Sequence, residues 1–250
     1  MSGHSHWAKI KRAKGSNDAR RGREWSKLSR RVIVAARAGG GNPDENLSLR
    51  YAIDDCRAAN MPNDTIDRAI KKGTGELGGE AYVQVMYEGY GPGGVAFMVD
   101  CLTNNRSRTA PELRTIFDRH GGQLGGANSV AWMFSQKGTF IISADATSED
   151  ALMEIALDAG AEDVNLQGDV FEVLCQAPDF AKVKAALEAK KIATLSAKIG
   201  MVPANLVPVG ADKAGGVIAL MEGLEENEDV QNVYANFDIP DDVLEQATKG

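Results

Sequence analysis

Between Gly73 and Gly79 the hydrophobic repeat of this chain changes its period, so the two sides of that point cannot share one kind of secondary structure. Before it, apolar residues recur at three- and four-residue steps. Over residues 17–38 Trp25, Leu28, Val32, Ala35 and Ala36 fall on one helical face. The GGGNP run at residues 39–43 breaks that helix and sets Asn42 to cap the next, with Pro43 at its first position. Leu49, Ala52, Ile53, Cys56 and Ala59 mark a second helix. Ile66, Ala69 and Ile70 mark a third over residues 62–72, which Gly73 is expected to end. Residues 1–75 therefore read as a small helical bundle, followed by the linker GTGELGG.

Beyond the linker the pattern predicts strands near residues 81–87 and 95–102, joined through EGYGPGG. A polar TNNRSR loop leads to a helix in which Thr109 and Glu112 have capping-box spacing and which Gly121 stops. Residues 129–134 read as a further strand. From Lys137 the order is strand (139–143), helix (148–159), strands (163–167 and 170–175), a helix capped by Asp179, and a strand (194–199). That βαββαβ order is the split-βαβ or ferredoxin-like arrangement. A last helix (214–226) and strand (233–238) cannot bury a core alone, so they are expected to return to the middle unit. The fold class predicted is α+β with three domains: residues 1–75, residues 79–134 plus 207–240, and an inserted ferredoxin-like domain over residues 135–206.

A length of 250 residues suits two or three compact units. No apolar run approaches the roughly 18 to 20 residues of a membrane span. The basic N-terminus has no apolar stretch behind it, which argues against a secretory signal and leads to a cytoplasmic expectation. Cys56, Cys101 and Cys175 are odd in number, far apart and set in apolar patterns, the usage of small buried hydrophobes.

The net charge of -7 conceals a split. Residues 1–40 carry 11 Lys or Arg against Asp18 and Glu24, a net of +9, and the remaining 210 residues carry 17 basic and 33 acidic side chains, a net of -16. A chain with one basic end presents that end to a polyanion, and an acidic body confines the contact to it. Lys9, Lys11, Arg12 and Lys14 lie in a Gly-flanked arm beside Trp7, and Arg20, Arg23, Lys27, Arg30 and Arg31 form a stripe on the first helix, with Arg21 beside them. Such cations neutralise phosphates and release counterions. Trp7 is expected to dock on the helices, with stacking on a base as the alternative. Arg106 and Arg108, among Asn104 and Asn105, offer a second contact, or simply cap a helix.

Motifs of catalysis are missing from the sequence. Two G-x-G-x-x-G matches, at Gly73-Gly75-Gly78 and Gly89-Gly91-Gly94, stand where turns are expected and not between a strand and a helix. There is no phosphate loop and no nucleophile elbow. His4 and His6 lack further metal ligands nearby, and His120 sits at a helix end. Residues 225–229 read as a solvated acidic face. On the ferredoxin-like strands Phe140 and Phe171 do not make the aromatic pattern of an RNA-recognition motif. No cofactor, no metal and no enzymatic activity are expected.

Several blocks carry a family resemblance along nearly the whole chain: SGHSHWAKIKRAKGSNDARRGREWSKL, AAxAGGGNPxxN from Ala35, AANMPNDTIDRAIKKGTGE from Ala58, EGYGPGGVA, TNNRSRT, GGQLGGANSVAWMF and YANFDIPDDVLE. They resemble the YebC family, with His6 where lysine is usual and Trp25 where phenylalanine is common. The resemblance implies a helical N-terminal domain, a middle α+β domain and a ferredoxin-like domain inserted into it. It also implies a regulator of gene expression. Some members are described as transcriptional regulators on promoter DNA. Others, including the mitochondrial translational activator of cytochrome oxidase, act at the ribosome, and bacterial relatives are implicated in relieving stalling at proline-rich stretches. No enzymatic activity is established for the family. The expected partner is nucleic acid, either promoter DNA or ribosomal RNA on the ribosome, with no membrane; the oligomeric state is open and compatible with a monomer. A protein-interaction module without nucleic-acid contact is the alternative, and it would survive removal of the basic arm.

Overall fold

The structure is a computed structural model, and it describes residues 18–78, 81–240 and 243, with residues 18–20 as backbone only. Helices α1 (Asp18–Gly39), α2 (Leu47–Ala58) and α3 (Asn63–Thr74) form the bundle. Leu28, Val32, Ile33, Ala36, Leu49, Ile53, Cys56 and Ile66 share its core. Trp25 closes one edge, its indole N–H donating to the Ala59 carbonyl at 3.0 Å.

Two boundaries here differ from the sequence expectation. Asn46, not Asn42, caps α2: its side-chain oxygen accepts the Leu49 N–H at 3.1 Å, and its amide donates to the Ala35 and Gly40 carbonyls. Asn42 instead accepts the Asp44 N–H in the preceding turn. Helix α3 runs through Gly73 and stops at Gly75, whose φ of 88° a side chain would resist. Gly73 is a packing residue, since a Cβ there would lie 2.6 Å from both the Ala36 Cβ and the Ile33 carbonyl oxygen.

The next elements are β1 (Val83–Tyr90), β2 (Ala96–Thr103), α4 (Arg106–Arg119) and β3 (Gln123–Leu124). With β9 (Val230–Ala235), from near the end of the chain, these strands build a central antiparallel sheet in the order β3-β1-β2-β9. Helices α4 and α7 (Ala211–Glu226) cover one face. Phe97, Val99 and Cys101 of β2 point to them, while Ala96 and Met98 pack on the other face with Val130, Phe134 and Tyr234. All eight residues of β2 are buried, as befits a strand covered on both faces.

A second sheet contains β4 (Phe134–Ser143), β5 (Ala161–Gln167), β6 (Val170–Gln176) and β7 (Thr194–Pro203), with helices α5 (Glu149–Asp158) and α6 (Phe180–Ala189). Its order β5-β6-β4-β7, antiparallel throughout, is that of a split-βαβ unit. Phe140, Ile142, Leu152, Val173, Val183 and Leu187 fill its core. The short strands β8 (Val207–Pro208) and β10 (Phe237–Asp238) pair in parallel beside the central sheet. Mixed helix and sheet with antiparallel pairing makes the class α+β.

Three further expectations are corrected. Residues 129–133 are not strand, because the buried Glu88 carboxylate accepts the Asn128, Val130 and Ala131 N–H groups at 2.7–2.8 Å and pulls this backbone into a turn. Helix α4 is capped by Asn105, which accepts the Arg108 N–H at 3.1 Å, and not by Thr109. Asp179 stands at the N-cap of α6 but makes no capping bond and pairs with Lys182 at 2.8 Å. All three cysteines are buried and free.

Candidate nucleic-acid interface

The basic stripe of α1 follows from helical geometry: residues 23, 27 and 30 lie within about 10 Å along one side of the helix. The structure turns that side toward the acidic end of α7 and not to open solvent. Arg23 pairs with Glu226 at 3.4 Å. The Lys27 ammonium donates to the Glu225 carbonyl at 2.5 Å. Arg30 pairs with Glu228 at 3.4 Å and with Asp229 at 3.0 Å, donates to the Glu228 carbonyl, and lies over the Tyr82 ring at 5.6 Å. Helix α7 has no basic residue in its last turn, so its C-terminal carbonyls and their partial negative charge receive cations from α1 instead.

Asp229 is the hub of this contact. Its side chain is 2% exposed and accepts two bonds from Arg108, at 2.7 and 2.9 Å, and one from the Thr109 hydroxyl at 2.7 Å. Burial works to raise its pKa, but the Arg108 and Thr109 hydrogen bonds and the Arg30 and Arg108 charges outweigh it and hold the carboxyl below its ordinary value. The hydrogen bond and charge of Asp229 push the Arg108 pKa up in return. The expectation of a solvated acidic face over residues 225–229 is thus overturned at its last residue: a buried carboxylate persists only with paired charge, and α1 and α4 supply it.

The other cations named from sequence are placed separately. Arg31 pairs with Asp55 at 2.8 Å, both half exposed. The Arg21 guanidinium lies 5.9 Å from the Trp25 ring. Arg106 is exposed at the start of α4, while Arg108, two residues on, is committed to Asp229. Lys9, Lys11, Arg12 and Lys14, with Trp7, His4 and His6, lie outside the described residues, as does the side chain of Arg20. Among the described residues no group of three or more His, Cys, Asp or Glu is arranged to hold a metal. A cleft of about 800 Å³ on the bundle is lined by Arg57 and Lys71 but also by Asp67 and Glu76, so it offers no field of one sign.

Sequence reasoning also passed over Trp132, which is 74% exposed. The turn that presents it is fixed by Glu88, and both its indole N–H and the Tyr90 hydroxyl donate to the Ser129 carbonyl, at 3.2 and 3.0 Å. Glu88 reads as the first residue of a polar turn, and nothing in its sequence neighbourhood signals a buried carboxylate.

Comparison with known proteins gives a consistent result over the full length. Residues 5–76 match a family described as the TACO1/YebC protein N-terminal domain, and residues 82–237 match TACO1/YebC second and third domain. A protein of Syntrophobacter fumaroxidans is 53% identical over 98% of this chain and 99% of its own length, and one of Dictyoglomus turgidum is 51% identical with the same coverage. Both bear the name "Probable transcriptional regulatory protein". Among solved structures, a conserved hypothetical protein, Aq1575, from Aquifex aeolicus is similar with a TM-score of 0.80 and 45% identity, covering 90% of this chain and 93% of that one.

Proposed function

Starting from a chain that belongs to the TACO1/YebC family, we propose a nucleic-acid-binding regulator of gene expression that grips its polyanion through the basic N-terminal end. The names of its relatives support a regulatory role. The observation that carries the reading is the charge split, +9 over residues 1–40 against -16 over the rest. So much charge of one sign in a short segment repels itself unless a partner neutralises it. The arm with Lys9, Lys11, Arg12 and Lys14, and the α1 cations Arg20, Arg21, Arg23, Lys27, Arg30 and Arg31, are the proposed phosphate contacts, with Arg106 as an outlying one. The same reading takes residues 1–75 as the binding domain. The other two domains, residues 79–134 with 207–240 and residues 135–206, position it or receive protein partners.

Structured RNA, such as that of the ribosome, suits this surface better than promoter DNA. Reading a duplex sequence requires side chains at a helix start that approach base edges and phosphates. Helix α3 opens on Asn63, Asp64 and Thr65 with Asp67 one turn on, and its carboxylates repel phosphates. A shape-reading contact through cations has no such requirement.

Anisotropy titrations of a structured RNA and a duplex DNA at rising salt test the proposal. The expected result is RNA binding that weakens steeply with salt, and loss of that binding when Lys9, Lys11, Arg12 and Lys14 are changed together to Gln. Undiminished binding by that variant would remove the basic arm from the proposal. Sedimentation of a lysate at low and moderate salt separates the two targets: travel with ribosomal particles, released by salt, supports translation, and absence from them favours DNA.

A further inference from the structure

Resting on the polyanion reading above, we propose that the acidic turn ending α7 covers the phosphate-binding side of α1 in the free protein, and that a nucleic-acid backbone displaces it on binding. The cations at 23, 27 and 30 are the ones this turn engages, through Glu226, the Glu225 carbonyl, and Glu228 with Asp229. The turn offers them what a phosphate strand offers, anionic oxygens along one side of a helix.

The contact is built to part. Glu226 and Glu228 have side chains 68% and 70% exposed, so water screens these pairs and each contributes little. Among the described residues the bundle core and the core under α4 and α7 share no residue, and Tyr82 is the one residue from beyond the linker that packs against the bundle core. A polar junction between separately cored units is the kind that moves. Opening also leaves no buried charge alone. Asp229 keeps Arg108 and Thr109 from its own layer and loses Arg30 only. Arg30, 12% exposed while the turn covers it, then faces the incoming phosphates. Nucleic acid carries charge at far higher density than five residues of acidic turn, and its counterions are released on contact.

The test uses the full chain. Glu226→Gln combined with Glu228→Gln removes the covering charges at exposed positions without touching Asp229. Glu149→Gln combined with Asp150→Asn, exposed at the start of α5, changes net charge equally at a distance. Affinity for one structured RNA hairpin is measured for all three proteins at low salt. The first variant is expected to bind roughly threefold to tenfold tighter than the parent, with the control within about twofold. Because the natural cysteines are buried, dyes can be placed at Glu45→Cys and Asp118→Cys, and their separation should grow when the hairpin is added. Equal gains for variant and control would reduce the effect to bulk charge and overturn the cover. RNA binding with no change in dye separation would overturn it too. If the parent binds neither RNA nor duplex DNA, the polyanion reading itself fails, and the cover falls with it.

Discussion

Asp229 shows how one residue can tie separate parts of a chain together. Its carboxylate accepts from Arg108 and Thr109 of α4 and is paired with Arg30 of α1. Asp229→Ala should destabilise the fold by roughly 2–3 kcal/mol in urea denaturation, somewhat under the cost of breaking a fully buried pair because Arg108 stays half exposed. The pH dependence has a definite sign. A carboxyl whose folded pKa is depressed adds stability that is present above its unfolded value, ordinarily 3.8, and is lost as pH falls through the lower folded value. The urea midpoint of the parent should therefore fall more steeply than that of Asp229→Asn as pH drops below about 4. The cysteines give the opposite case. Burial, with the Asp100 charge, pushes the Cys101 thiol up to about 12, and burial, with Asp55, pushes Cys56 up to about 11. Native protein at pH 8 should leave these thiols unreactive toward a disulfide reagent, and denatured protein should titrate all of them.

At the scale of elements, local propensity and packing disagree most plainly at Gly73. Helix propensity alone predicts that Gly73→Ala stabilises α3 by about 1 kcal/mol. The new Cβ would sit 2.6 Å from the backbone of α1, which cannot yield as a side-chain tip could. Net destabilisation of about 1–3 kcal/mol is expected, read from thermal unfolding of the bundle. A second disagreement is the turn before β4. Its short apolar run reads like a strand, but Glu88 satisfies three of its N–H groups from β1. Glu88→Ala should expose the amides of Asn128, Val130 and Ala131 to rapid hydrogen exchange while the amides of β2 stay protected; unchanged exchange there would refute the role given to Glu88.

For the whole molecule, the division of apolar clusters predicts how it comes apart. Among the described residues the bundle core shares no residue with the other cores and meets Tyr82 at its edge, whereas Ala96, Phe134, Met201 and Tyr234 join the central sheet to the β4–β7 pair. Calorimetry should resolve a transition for the bundle apart from one shared by the two sheets, and a single transition obeying two-state criteria would contradict that division. In the same measurement, Glu226→Gln with Glu228→Gln should shift neither transition by more than a degree or two, since those pairs are exposed.

The order of helices and strands, the bundle's apolar face and the βαββαβ pattern were legible in the sequence, because they depend on periodicity along a single element. The return of α7 and β9 to the central sheet was legible as well, since a lone helix and strand cannot bury a core. Cap positions at Asn46 and Asn105 were misplaced by a few residues, because several polar side chains compete for each helix start and tertiary contacts choose among them. The basic end was visible as charge, but its partners were not. Residues 23 and 226 lie 203 positions apart and meet only once α1 lies along the end of α7, so linear spacing holds no record of the pair. The order of charged residues along the chain determined that this protein would have one cationic end; for the described cations of α1 the tertiary structure decided which meet the protein's own acids, because charge follows from residue type and pairing follows from distance.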